Sequence, residues 1–138
     1  MTKNAGDIIA HGKKHSVSVT VDAANTATAV HSGGLDVYAT PAMIALMERA
    51  AYECVESVLG SGQTTVGSMV NIRHLAASPL GSHITATATI ESVDGRNIHF
   101  TVSASDGAGE IGAGSHTRTI ITVDRFMEKA QARAQQEH

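Results

Sequence analysis

The spacing of apolar and polar residues predicts one long helix in the first half of the chain. From Thr40 to Leu59 most residues are Ala, Met, Ile, Leu, Val, Tyr or Cys, and Arg49, Glu53 and Glu56 form a narrow polar stripe at helical spacing. A helix that is apolar around most of its circumference is a buried helix. Thr40-Pro41 indicates its start, with Thr as the N-cap and Pro at the first helical position, and Gly60 indicates its end.

The rest of the chain mostly alternates between apolar and polar residues, which is the period of a half-buried strand. Asp94-Gly95 is a strong hairpin signal, and residues 106–109 (Asp-Gly-Ala-Gly) indicate a second turn. Residues 22–36 are interpreted as a connecting segment with room for a short helix. The predicted strands are residues 16–21, 64–76, 82–93, 97–105 and 110–123, and a polar helix is predicted over residues 124–138.

A strand, a buried helix and four strands joined largely by hairpins predict an α+β fold. Sequential hairpins give an antiparallel sheet, and the buried helix before them implies a sheet that wraps around it, which is typical of the hotdog arrangement. Residues 1–138 are a suitable length for a single domain. One helix under one sheet leaves sheet edges exposed, so we expect a homodimer or higher homo-oligomer.

Composition and charge narrow the functional classes. The formal net charge is −3, which does not favour a nucleic acid partner. The single cysteine, Cys54, cannot form an internal disulfide, which favours a reducing cytoplasm. The sequence shows no signal peptide and no apolar stretch of membrane-spanning length, so we expect no membrane association.

Glu48 is the most informative polar residue. On a helical wheel it lies with Ile44 and Val55 rather than with the polar stripe. Burying a carboxylate costs free energy unless it is paired or protonated. Glu48 is therefore either paired with an arginine or a backbone group, or it is a catalytic carboxylate whose proton affinity burial has raised.

His74, Thr40 and Gly67 are further candidates. Residues 66, 68, 70, 72 and 74 are predicted to share an apolar face, so His74 is either a hydrogen-bonded core histidine or a catalytic group beside Glu48. The Thr40 hydroxyl is explained by N-capping, although it could also face a ligand at the helix N-terminus. Gly67 interrupts a strand, as at a bulge or where a ligand approaches the backbone, and its N–H is a candidate oxyanion donor.

Other signals predict no further chemistry. His11 and His15 are four residues apart, but Gly12 and the following strand argue against a helical metal site, and no metal is expected. Cys54 is interpreted as a core residue. The Gly-Ala-Gly segments at 107–109 and 112–114 lack the strand, turn and helix of a dinucleotide site.

Four segments resemble the fluoroacetyl-CoA thioesterase family of hotdog-fold acyl-CoA thioesterases. They are residues 39–48 (ATPAMIALME), 67–81 (GSMVNIRHLAASPLG), 93–96 (VDGR) and 110–118 (EIGAGSHTR), and the resemblance covers roughly residues 36–124. It implies that Thr40, Glu48 and His74 are catalytic, and that Gly67 and Arg118 bind the substrate, with Arg118 on the CoA portion. CoA is then part of the substrate, and no separate cofactor is expected.

The resemblance implies hydrolysis of an acyl-CoA, in which Glu48 activates water or attacks the thioester itself. His74 would protonate the leaving thiolate or orient the water, and Thr40 would position His74 or the substrate. Phenylalanines before the helix form a lid in the fluoroacetyl-specific enzyme, but residues 31–38 (HSGGLDVY) contain none, so fluoroacetyl selectivity is not expected. The alternatives are a non-catalytic acyl-CoA-binding hotdog protein and a hotdog hydratase or dehydratase.

Overall fold

A long helix lies against one face of a five-stranded antiparallel sheet. The computed structural model describes residues 9–136. The elements in chain order are β1 (Lys14–Thr20), α1 (Thr40–Glu56), β2 (Gln63–His74), β3 (His83–Asp94), β4 (Asn97–Asp106), β5 (Gly109–Thr122) and α2 (Val123–Ala134). The strand order is β1-β3-β4-β5-β2, with every neighbouring pair antiparallel. The predicted α+β class is confirmed.

The core lies between α1 and the inner face of the sheet. One side of α1 is fully enclosed, including Met43, Met47 and Cys54, as predicted for a buried helix. Alternate residues of β3 face it, and two of them are alanines, Ala86 and Ala88. Because alanine is small, the middle of β3 leaves room for the helix, and Ile84 and Ile90 fill the core on either side of it.

The limits of α1 differ from the prediction. Ala39, not Thr40, is the N-cap, and no side chain caps the helix. The helix ends at Glu56 with Ser57 as the C-cap, before Gly60, because the N–H groups of Ser57 and Val58 bond back to Val55 and tighten the last turn. Residues 22–36 form turns rather than a short helix.

A bulge in β2 decides which side chains face the helix. Its pairing with β5 shifts between Gly67 and Met69, so one extra residue lies in β2. Opposite residues share a face of the sheet, and Gly67 pairs with Arg118 whereas His74 pairs with Gly112. Both Gly67 and His74 therefore face α1. The prediction that residues 66 and 68 share the face of His74 is wrong, because the bulge moves them to the opposite face.

The two edges of the sheet differ in character. β1 is a short edge, and its neighbour β3 contacts it through hydroxyl pairs such as Ser16 with Thr87. β2 is a 12-residue edge, and Met69 and Val70 at its centre are 42% and 47% exposed. A long edge with exposed apolar side chains is a surface that proteins normally cover. Within residues 9–136, no helix has the length and apolar character needed to cross a membrane.

Candidate active site

Thr40 and His74 form a hydrogen-bonded pair where the first turn of α1 meets the end of β2. The Thr40 hydroxyl lies 2.7 Å from His74 Nδ1. His74 Nε2 is enclosed, yet it has no hydrogen-bond partner within the described residues. The pair lines an open groove of about 340 Å³, which Ser32, Val37 and Tyr38 also border. The Thr40 hydroxyl thus holds a histidine instead of capping the helix.

Glu48 lies two turns further along α1, beside Gly67 and Arg118. Its Oε2 is 3.5 Å from Arg118 Nη1. A Cβ atom added to Gly67 would lie 2.6 Å from that same oxygen, so only glycine leaves room for the carboxylate here. The Glu48 side chain is 41% exposed. The expected burial of Glu48 is therefore wrong for a single chain, while the arginine pairing considered above is present.

Arg118 is held rigidly behind Glu48. Its Nε donates to Thr65 Oγ1 at 2.8 Å and its Nη2 donates to the Thr65 carbonyl at 3.0 Å. The guanidinium carbon lies 5.7 Å from the centre of the Tyr52 ring. Burial lowers the pKa of Arg118, and the Glu48 carboxylate acts in the opposite direction. Because the side chain is only 9% exposed, it is better placed to orient Glu48 or a small acyl group than to bind exposed phosphates.

His116 joins Arg118 to the bulge, and sequence reasoning missed it. Its Nδ1 donates to the Met69 carbonyl at 2.7 Å, so its Nε2 accepts from Arg118 Nη1 at 3.2 Å. Both bonds require the neutral ring, and burial lowers the pKa of His116, which favours that form. Its ring stacks on Phe100. Its spacing could have indicated it, because His116 is two residues before Arg118 in β5, and residues two apart in a strand lie on the same face of the sheet.

The five predicted site residues form two groups within one chain. Thr40 and His74 lie at one end of β2, while Glu48, Gly67 and Arg118 lie towards the other end. His74 is seven positions beyond Gly67, which is roughly 23 Å along a strand. One thioester carbonyl cannot contact both groups of the same chain.

Cys54 and His15 lie outside both groups. Cys54 is enclosed in the core, and burial raises the pKa of its thiol, so it is not an activated nucleophile. His15 bonds to Glu53 at 3.0 Å. Residues 9–136 contain no group of three or more His, Cys, Asp or Glu side chains arranged to hold a metal ion.

A buried helix wrapped by an antiparallel sheet is the hotdog fold, and a comparison with known families assigns the chain to the thioesterases. The family model of FlK, the fluoroacetyl-CoA-specific thioesterase, matches residues 21–124. The chain belongs to this family, and it is a thioester hydrolase of the hotdog class.

Individual relatives agree with this assignment. A fluoroacetyl-CoA thioesterase from Streptantibioticus cattleyicolor is 38% identical over 96 residues, which cover 70% of this chain and 69% of the relative. A solved structure of the fluoroacetyl-CoA thioesterase FlK superposes with a TM-score of 0.85 at 31% identity and covers 89% of this chain and 96% of its own. A thioesterase-superfamily member from Thermus thermophilus gives 0.84 at 25% identity, covering 94% and 98%. The predicted hotdog fold and family are confirmed.

Proposed function

We propose that this protein hydrolyses a small acyl-CoA to the free acid and CoA, in sites shared by the two chains of a homodimer. Thr40 and His74 of one chain would act with Glu48, Gly67 and Arg118 of the other. The observation that carries this proposal is the separation of the two groups along β2. Since the chain belongs to a thioesterase family, two groups that cannot reach one carbonyl within a chain call for a second chain.

The exposed edge of β2 supports a specific dimer. In an antiparallel pairing of two β2 strands, residues equally far from the two-fold axis lie opposite one another. An axis at Asn71 lies next to the exposed Met69 and Val70, and it pairs Val70 with Ile72 of the other chain. Because the bulge adds one residue, this axis also sets His74 of one chain opposite Gly67 of the other. Opposite residues share a face, and the bulge gives Gly67 and His74 the same face. The pairing would also cover the half-exposed Glu48.

The reaction uses groups that this arrangement would bring together. Glu48 takes a proton from the attacking water, or attacks the carbonyl carbon itself to form an anhydride that water then opens. We assign the Thr40 hydroxyl as donor to His74 Nδ1, which places the ring hydrogen on Nε2, an enclosed atom without a partner in the described residues that is available to the substrate. That N–H and the N–H of Gly67 stabilise the developing negative charge on oxygen or sulfur. When Glu48 acts as a base, the C–S bond breaks and the departing thiolate takes the proton that Glu48 accepted from water. When Glu48 attacks directly, the C–S bond breaks as the anhydride forms, and the thiolate takes a proton released when water opens the anhydride.

Mixing two inactive variants tests the shared site. Thr40→Val removes the hydroxyl that holds His74, and Glu48→Gln removes the carboxylate while keeping its shape. Half of the dimers formed by equal mixing are heterodimers, and each of these has one site with both lesions and one intact site. We expect hydrolysis of the mixture to recover to about a quarter of the wild-type rate, as for independent sites.

The control for this experiment is a mixture of each variant with itself, treated identically. Subunit exchange is verified by native mass spectrometry with an isotope-labelled partner. Exchange without recovery of activity would place both residues in one chain's site and overturn the shared arrangement. Near-normal hydrolysis by folded Glu48→Gln alone would remove Glu48 from the mechanism.

Release of free thiol from short, branched, aromatic and halogenated acyl-CoAs tests the reaction itself and identifies the acyl group. CoA binding without turnover of any of them would favour the non-catalytic acyl-CoA-binding alternative. The proposal needs no cofactor besides the CoA of the substrate. We also propose a cytoplasmic location, which the buried thiol of Cys54 supports and which localisation of the tagged protein in cells tests.

A further inference from the structure

A basic pocket lies where β5 turns into α2. It has a volume of about 140 Å³, and its walls are Arg96, Ile121, Thr122, Arg125, Phe126 and Lys129. Three of these six residues are cationic and none is acidic, although the chain as a whole carries a net charge of −3. Within residues 9–136, none of the three cations takes part in an ion pair. The pocket therefore concentrates positive charge that no ion pair within the described part of the chain neutralises.

The aromatic residue in this pocket is also unusual for the chain. There are only two phenylalanines, and Phe126 is 39% exposed whereas Phe100 is enclosed in the core. An exposed aromatic ring among arginines and a lysine is the combination that binds a nucleotide, because the ring stacks on a base while the cations bind phosphate groups. A simple anion site would not need the ring.

The pocket lies at the end of the sheet that carries Arg118, away from His74. Ile121 and Thr122 follow Arg118 by three and four residues, which is roughly 10 to 13 Å along β5. Arg96 is tied to the same strand, because its carbonyl accepts from the Ile120 N–H at 2.8 Å. The pantetheine and pyrophosphate arm of CoA is longer than this distance when extended, so a thioester beside Glu48 leaves the nucleotide end within reach of the pocket.

We propose that this pocket binds the 3′-phosphorylated adenosine diphosphate end of the acyl-CoA substrate, with Phe126 against the adenine and Arg96, Arg125 and Lys129 on the phosphates. This assignment rests on the proposed function. It separates two tasks, because Arg118 serves the reacting end of the substrate while the pocket supplies affinity for the distant end. Binding of that kind lowers KM and leaves kcat unchanged.

The test compares substrates with and without the nucleotide. The double variant Arg125→Gln/Lys129→Gln removes two cations, and Arg133→Gln on the same helix outside the pocket is the matched control. For acetyl-CoA we expect the KM of the double variant to rise about tenfold at unchanged kcat, as two charge-assisted contacts are lost. For S-acetylpantetheine, which lacks the nucleotide, we expect no change. Equal losses on both substrates, or no loss on acetyl-CoA, would overturn the assignment.

Direct binding separates this proposal from the proposed function. Calorimetric titration with adenosine 3′,5′-bisphosphate needs no turnover, so the pocket is supported if the wild type and Arg133→Gln bind this probe and the double variant does not, even if no thioester is hydrolysed. No binding by the wild type would overturn it. The source of the nucleotide is decided by competition. ATP that binds as tightly as the bisphosphate without competing with CoA would indicate a separate effector site and would overturn the assignment to the substrate.

Discussion

Gly67 leaves room for the Glu48 carboxylate because it has no side chain. A methyl group at this position would occupy the space of Glu48 Oε2 and would also crowd His116 Cε1 at 3.2 Å. The nearer atom belongs to the end of a flexible side chain, which can rotate away. Substitution should therefore displace the reacting group without breaking the sheet.

We expect Gly67→Ala to fold with a free energy of unfolding within about 1 kcal/mol of the wild type. Its kcat/KM should fall about 10²-fold, because small displacements of a reacting group have large kinetic effects. Thermal unfolding and acyl-CoA hydrolysis measure the two quantities. Gly107→Ala is the control, since a Cβ there contacts nothing within 4 Å. Wild-type activity in Gly67→Ala would show that Glu48 does not need this position.

His116 makes stability depend on pH with a predictable sign. Burial lowers the pKa of His116 in the folded protein below the ordinary value of 6.5. In the unfolded chain the ring takes up a proton below about pH 6.5, whereas the folded protein resists this, so acidification favours unfolding. The stability due to the neutral ring is complete above the unfolded pKa and decreases below it.

The variant His116→Gln keeps a donor and an acceptor but does not titrate. We expect the stability advantage of the wild type over this variant to shrink between about pH 7 and pH 5. Urea unfolding across this range measures the difference, and His11→Gln, which replaces an exposed histidine, gives the background. Parallel stability curves for wild type and His116→Gln would contradict the assignment of a neutral ring.

At the scale of elements, residues 31–38 shape the groove at the Thr40 and His74 pair. Thr26 bridges to Tyr38 and Val37 bridges to Pro79, which fixes this segment against the start of α1. The segment contributes Ser32, Val37 and Tyr38 to the groove and contains no phenylalanine. The aromatic ring that this segment contributes is the phenol of Tyr38, so the groove lacks the phenylalanine surface that the resemblance associates with selection for fluorine.

We therefore expect the kcat/KM of fluoroacetyl-CoA to exceed that of acetyl-CoA by less than about 10²-fold, a ratio within reach of one small change in pocket contacts. Parallel kinetics on both substrates give the ratio, and propionyl-CoA controls for the size of the acyl group. A preference of several orders of magnitude would show that another part of the pocket discriminates.

An element can be predicted from the sequence when residues close together in the chain determine it. The strands follow from alternation and from turns such as Asp94-Gly95, and α1 follows from its apolar circumference. The pairing of Thr40 with His74 does not follow from the local pattern, because the two residues are 34 positions apart and local propensity favours capping, whereas the family resemblance indicated it. The prediction of which β2 residues face the helix was wrong for residues 66 and 68 for a similar reason. A period of two cannot reveal an extra residue, and only the pairing with β5 shows it.

At the scale of the whole molecule, β2 is the surface that would bring two chains together. Val70 is one residue from the proposed two-fold axis at Asn71, so a lysine there would lie diagonally across the interface from its own copy on the same face of the sheet, and like charges that close are destabilising. We expect Val70→Lys to be a folded monomer without hydrolytic activity, because each chain would hold only half of each site.

Sedimentation measures the oligomeric state of Val70→Lys, and circular dichroism verifies its fold. The control is Val30→Lys, since Val30 is 40% exposed but lies outside β2. A dimeric and active Val70→Lys would place the interface elsewhere on the molecule.

While the bulge in β2 is present, Gly67 and His74 both face the helix only if they are an odd number of positions apart. Deleting Ser68 would remove the bulge itself and leave six regular steps, so both side chains would still face the helix. Deleting any other single residue of this interval while the bulge remains would turn either the glycine or the histidine away from the helix. Removing a pair of residues would keep both side chains on the inner face and change only the distance between the two ends of the strand. Among divergent relatives, we therefore expect this interval to change in steps of two, and an odd change to occur only where a bulge has been gained or lost with it.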